Sequence, residues 1–308
     1  MSDVVSTCSL EMFHSVVRAA VQLEQDAVES ISSYLLGQIN DDGGFRGRTK
    51  TSDLYYTVFG MTSLSALGVE FPFEKTWKYL KGFGDGTGLD FVHLSCLVRC
   101  RAIYRFLKQD NDLPDSEKSI FSKIESFRTD CGGYSHITKG AGKGSVYASF
   151  LACCAYQDCG MDVPGKNNII RSVEGLKCRR GGYGNEENME SGTTTATAAA
   201  LVLLKHMGMN VDVAAVEWLA KLCTERGGFL AGENAQMPDL LSTGTALHAL
   251  RTVGSPLVSK SDECREFIDL LWMQDGGFAG SPLELITDCE YTFYGLLGLG
   301  SLVYENTH

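Results

Sequence analysis

The sequence predicts an all-α chain of six helical hairpins closed into a ring, an (α/α)6 toroid with almost no β-structure. Three observations carry that expectation. A Gly-Gly-aromatic motif recurs along the chain, an amphipathic helical pattern precedes it, and a helix of small and apolar residues follows it. The motif stands as DDGGF at Asp41–Phe45, DCGGY at Asp130–Tyr134, RRGGY at Arg179–Tyr183, ERGGF at Glu225–Phe229 and QDGGF at Gln274–Phe278. Its first glycines are residues 43, 132, 181, 227 and 276, at intervals of 89, 49, 46 and 49. The first interval is nearly two periods, and a degraded unit, KGFGDGTGLDFVHLSCL from Lys81, fills it. Six units result.

Within a unit, Gly-Gly ends the outer helix because glycine adopts left-handed dihedrals cheaply. A short polar loop leads to the inner helix, expected near Asp53 in the first unit and Leu89 in the second. The third, SVYASFLACCA, is expected from Ser145, and the fourth, TTTATAAALVLL, from Thr193. In the fifth unit VEWLAKLC from Val216 is the outer helix, and STGTALHAL continues an inner helix starting near Leu240. The sixth pairs FIDLLWMQ from Phe267 with YTFYGLLGLGSL, starting near Cys289. The inner helices are apolar nearly all round, which marks them as buried. Residues 1–308 are expected to form one domain.

Composition narrows the function classes. The chain of 308 residues is 44% hydrophobic, enough for a large core. No apolar run reaches the roughly 18 residues of a membrane span, and MSDVVSTCSLEMFH lacks a basic-then-apolar leader. The 11 cysteines are odd in number, and Cys153 and Cys154 are adjacent, so reduced thiols in a cytoplasmic protein are expected. No CxxC pair suggests a zinc knuckle, and a net charge of −11 argues against nucleic acid as a partner.

The repeats resemble those of the prenyltransferase and squalene-cyclase superfamily, and most of all the Rab geranylgeranyltransferase kind of protein prenyltransferase β subunit. GGFRGRTKTSDLYYTVFGMTSL and GGFAGSPLELITDCEYTFYGLLGL share that family's Asp-x-x-x-Thr-x-aromatic-Gly pattern. The likeness covers essentially the whole chain and is more specific for fold than for activity. It implies an isoprenoid or isoprenoid diphosphate as ligand, and a helical-repeat α-type partner subunit.

The ring would bring every Gly-Gly loop and inner-helix start to one mouth. Arg46, Arg48 and Lys50 in the first unit, and Lys139 and Lys143 in the third, make a basic arc. Glu186, Glu187, Glu190, Glu233, Glu284 and Glu290 make the remainder acidic. These are solvated loops, or else the basic arc holds a diphosphate. Tyr55, Tyr56, Phe59, Tyr147, Tyr291, Phe293 and Tyr294 fall on inner helices. They are core packing or, as the resemblance implies, an isoprenoid wall of which Tyr56 and Tyr147 are the substrate-binding candidates.

The resemblance also implies a zinc site, which the sequence does not keep. The family's Asp falls on Asp239, but its Cys falls on Leu241 and its His on Tyr291. Its diphosphate residues fall on Ser191, Glu233 and Gln236. No metal or other cofactor is therefore expected, although GRTKTSD retains basic chemistry at Arg48, Lys50 and Asp53. His93, His136, His206 and His248 read as ordinary hydrogen-bonded residues. Asp53, Asp239 and Asp288 recur at inner-helix starts, where an Asp caps free N–H groups. Glu290 recurs nowhere, and DCEYT resembles the acid motif of squalene-hopene-type cyclases with Glu290 at the protonating position. Asp239, Asp288, Glu290 and Tyr291 are thus the catalytic candidates. The function readings are prenyl transfer without the usual zinc, a non-catalytic binding or scaffolding toroid, and a terpene cyclase.

Overall fold

The computed structural model describes residues 6–109, 115–256 and 258–303. An α-helical layer inside another forms the ring. The outer layer is α2 (Gln25–Gly37), α4 (Phe73–Gly82), α6 (Asp115–Glu125), α8 (Lys166–Glu174), α10 (Val213–Lys221) and α12 (Ser261–Leu270). The inner layer is α3 (Leu54–Ala66), α5 (Phe91–Lys108), α7 (Val146–Asp158), α9 (Thr194–His206), α11 (Leu240–Thr252) and α13 (Cys289–Ser301). Each inner helix starts within two residues of the expected position. As expected there is little β-structure: among the described residues two short antiparallel hairpins, β1 (Phe229–Leu230) with β2 (Pro238–Asp239), and β3 (Phe278–Ser281) with β4 (Glu284–Asp288). Among the described residues no helix is long and apolar enough to cross a membrane.

Every inner helix is capped by a side chain: Asp53, Asp90, Ser145, Thr193, Asp239 and Asp288 each accept a backbone N–H of the first turn. Four residues later a hydroxyl repeats a second device. Thr57, Ser149, Thr197, Thr243 and Thr292 accept the backbone N–H of Phe45, Tyr134, Tyr183, Phe229 and Phe278, at 2.9–3.2 Å. The aromatic of each Gly-Gly-aromatic motif is thereby fixed to its own inner helix and buried. The Asp-x-x-x-Thr pattern is this cap and clamp.

The glycines join one unit to the next. At Gly227, φ is +76° and a Cβ would lie 1.9 Å from the Glu263 carbonyl oxygen on α12. Gly276 repeats the contact at φ +91°, with a Cβ 2.3 Å from the Ser30 carbonyl oxygen on α2. Both φ values suit glycine, and both contacts need its missing side chain. The last unit so packs on the first, and the ring closes.

The inner helices run in one direction. At their starts His93 bonds Asp53, and Arg48 bonds Asp288. At their ends Lys205 donates to the Thr252 carbonyl and Arg251 to that of Ser301.

One helix lies outside the repeat. α1 (Cys8–Gln22) packs on α13 most extensively and also meets α3, α7, α9 and α11, so it plugs the ring at the C-terminal ends of the inner helices. Gly300 permits this approach, since a Cβ there would sit 1.6 Å from the Ser15 carbonyl oxygen.

Candidate functional site

A central cavity of about 260 Å³ lies between the mouth and α1. Its walls follow the inner-helix register. Counting from each cap, position two supplies Tyr55, Tyr147, Thr195, Leu241 and Glu290. Positions five and six supply a mostly apolar middle tier, including Phe59, Phe150, Ala199, Phe293 and Tyr294. Position nine supplies Thr62, Arg99, Val202, His248 and Leu297, and Met12 of α1 closes the floor beside them. This spacing is one face of a helix repeated around the ring. The middle is greasy, and both ends are polar.

Glu290 is the one carboxyl on the cavity wall among the described residues. The Tyr55 hydroxyl donates to its Oε1 at 2.6 Å across the seam between the first and last units. Burial pushes the Glu290 carboxyl up to about 6, against the opposing pull of Tyr55 and Arg48. At the floor, Arg99 is directed to Asp158 at 3.3 Å and to Ser9.

The remaining candidates lie elsewhere. Asp239 caps α11, with Oδ1 taking the Ser242 N–H and Oδ2 the Ser242 hydroxyl. Asp288 caps α13 through the Tyr291 N–H and accepts Arg48 Nε at 3.0 Å. Arg48 also pairs with Glu284 and lies over the Tyr291 ring at 5.0 Å. Tyr56 stands edge-on to Tyr55, outside the cavity lining. Arg46 donates to Gln38 and the Gly37 carbonyl, while Lys139 lies over the Phe127 ring at 5.1 Å. Lys143 pairs with Glu187 at 2.6 Å in a separate side pocket. The Lys50 carbonyl accepts from Asn40. Only Glu290 and Tyr147 of the catalytic and binding candidates reach the cavity, and the basic arc is spread over several local pairs.

The zinc site that the resemblance implies does not fit these residues. Both Asp239 oxygens are engaged by Ser242, Leu241 presents hydrocarbon, and Tyr291 stacks under Arg48. Among the described residues no three His, Cys, Asp or Glu side chains converge on a point.

Sequence reasoning missed α1, Arg99 and the place of His248. The first lies before the repeats begin. The other two become legible only when the six caps are aligned and position nine is read across them.

The family model of the prenyltransferase alpha-alpha toroid domain matches residues 16–93, 74–214 and 197–303. No curated protein matches the chain. Among solved structures, Candida albicans protein geranylgeranyltransferase-I complexed with GGPP superposes with a TM-score of 0.64 at 13% identity, over 89% of this chain and 90% of that one. The type II terpene cyclase MstE from Scytonema gives 0.64 at 12% identity, over 93% and 97%. An α-1,6-mannanase from Salegentibacter, with α-1,6-mannotriose, gives 0.61 at 12% identity, over 90% and 98%. At such identities the likeness shows the fold alone.

Proposed function

We propose, since the chain belongs to the prenyltransferase alpha-alpha toroid family, that it binds a linear isoprenoid in the central cavity. The observation that carries this is the tiered wall: a mostly hydrocarbon and aromatic middle, with the charged groups Glu290 and Arg99 at its two ends. Solved relatives of this fold hold GGPP or, in a second form of the Scytonema cyclase, geranylgeranyl dihydroxybenzoate. Measuring binding of geranylgeraniol by calorimetry or native mass spectrometry tests the reading.

An uncharged isoprenoid suits the site better than a diphosphate. Arg48 and Lys143 already face carboxylates, and Glu290 at the mouth-side tier would repel an anion. Prenyl transfer from a diphosphate would require those pairs to exchange partners. Sugar hydrolysis by paired carboxylates is disfavoured as well, because among the described residues the wall carries one carboxyl.

A second reading has its own support in the Tyr55–Glu290 contact. A buried carboxyl held near 6 is protonated in part at neutral pH. It can deliver that proton to an alkene or an oxygen of the chain, and the Tyr55 hydroxyl then holds the resulting carboxylate. Acid-initiated cyclisation is that reading. Binding without turnover would leave the protein a non-catalytic carrier or scaffold.

A further inference from the structure

We infer that Cys223 and Cys264 form a thiol–disulfide exchange site for a small dialkyl disulfide such as oxidised glutathione, and that the resulting bond fastens the fifth unit to the sixth. The inference is independent of what the central cavity holds.

Cys223 lies two residues past the end of α10, and Cys264 lies in α12. They are 41 residues apart in sequence, yet Cys223 Sγ is 3.7 Å from Cys264 Sγ. That is van der Waals contact, about 1.7 Å beyond a bonded pair. The contact sits where the Gly-Gly loop of one unit meets the outer helix of the next. At Gly227 a Cβ would lie 2.6 Å from the Cys264 backbone nitrogen, so the two backbones already approach closely.

The two sulfurs have different tasks. Cys264 is fully buried, whereas Cys223 keeps accessible surface, so Cys223 is the one that meets a reagent. The Cys223 contact first, and the Gly228 N–H with it, hold the Cys264 thiol below its usual value despite burial. Cys264 is therefore the base and the resolving group of the pair. In the first step Cys223 Sγ attacks one sulfur of the disulfide, passes its proton to the Cys264 thiolate and expels one glutathione thiolate. In the second, Cys264 Sγ attacks Cys223 Sγ, and the other glutathione leaves with that proton. Two protein thiols are oxidised and one disulfide is reduced. Cys131 and Cys159 are the other half-buried thiols, and their partners are Thr129, Ser172, Arg105 and Glu117 rather than sulfur. They have no neighbour to resolve a mixed disulfide.

Incubating the folded protein with oxidised glutathione, trapping the remaining thiols and mapping tryptic peptides tests the assignment. Wild type is expected to link residues 222–226 to residues 261–265 with a mass loss of about 2 Da, reversed by dithiothreitol. The linked protein should melt several degrees higher, because the bond closes a loop across 41 residues. Cys264→Ala should stop at the mixed disulfide and keep a glutathione on Cys223. Cys223→Ser should leave Cys264 unmodified. Absence of the linked peptides from wild type, their formation only in denaturant, or no rise in melting temperature overturns the inference. A folded Cys264→Ala protein that takes no glutathione at Cys223 overturns it too. The wild-type map decides even where a variant folds poorly.

Discussion

Arg48 reaches across 240 residues of sequence to donate from Nε to Asp288 Oδ2 at 3.0 Å. The guanidinium is 40% exposed and the carboxylate fully buried, so the pair closes the ring at its rim. Truncating Arg48 leaves a buried carboxylate with one partner fewer. Arg48→Ala is expected to lower unfolding stability by about 1–3 kcal/mol. Arg48→Lys should recover only part, because an ammonium cannot serve Asp288 and Glu284 with a fixed fork. Denaturant unfolding of the three proteins checks this.

His93 sits between two caps, with Nε2 3.2 Å from Asp53 and Nδ1 2.8 Å from Asp90. The Asp53 hydrogen bond first, and Asp90 with it, raise the imidazole to about 9 despite partial burial. A base raised in the folded state stabilises it fully below its unfolded value of about 6.5. That contribution is lost as pH rises through about 9. Melting temperature should fall between pH 7 and 9.5 more in wild type than in His93→Gln. After discounting for exposure the excess is roughly 1 kcal/mol, or roughly 2 °C.

Glu290 carries the opposite linkage. An acid raised from 4.5 to about 6 destabilises the folded state in its charged form. Its penalty is absent below about 4.5 and complete above about 6, so stability is lost as pH rises through that window. Glu290→Gln keeps an acceptor for Tyr55 and cannot ionise. It should match wild type at pH 4.5 and exceed it by about 1–2 kcal/mol at pH 7.5. Equal stability at both pH values would mean that the carboxyl is solvated.

Much of the ring was legible in the residues. Gly-Gly, the caps and the clamping hydroxyls act within one unit, so their spacing survives as a written pattern, and Asp288 and Thr292 follow it. Glu290 stood out for the same reason, as a departure from that pattern. What was not legible depends on neighbours that only closure brings together. Arg48 and Lys143 read as a basic arc, yet the ring sets each beside a carboxylate from another segment. His93 read as an ordinary hydrogen-bonded residue and is one, but only closure of neighbouring units supplies its second partner, Asp53. α1 left no trace in the repeat arithmetic, and its use of Gly300 looks in sequence like one more small residue of an apolar helix.

Binding of geranylgeraniol to wild type and to Ala199→Phe tests the central claim most directly. Ala199 lines the middle tier, and a phenyl group there would take up space inside the cavity. Calorimetry should show one molecule bound per chain in wild type and none in a variant that still melts cooperatively. GGPP should bind no more tightly than the alcohol. Absence of binding to wild type, or equal binding to the filled variant, would contradict the account.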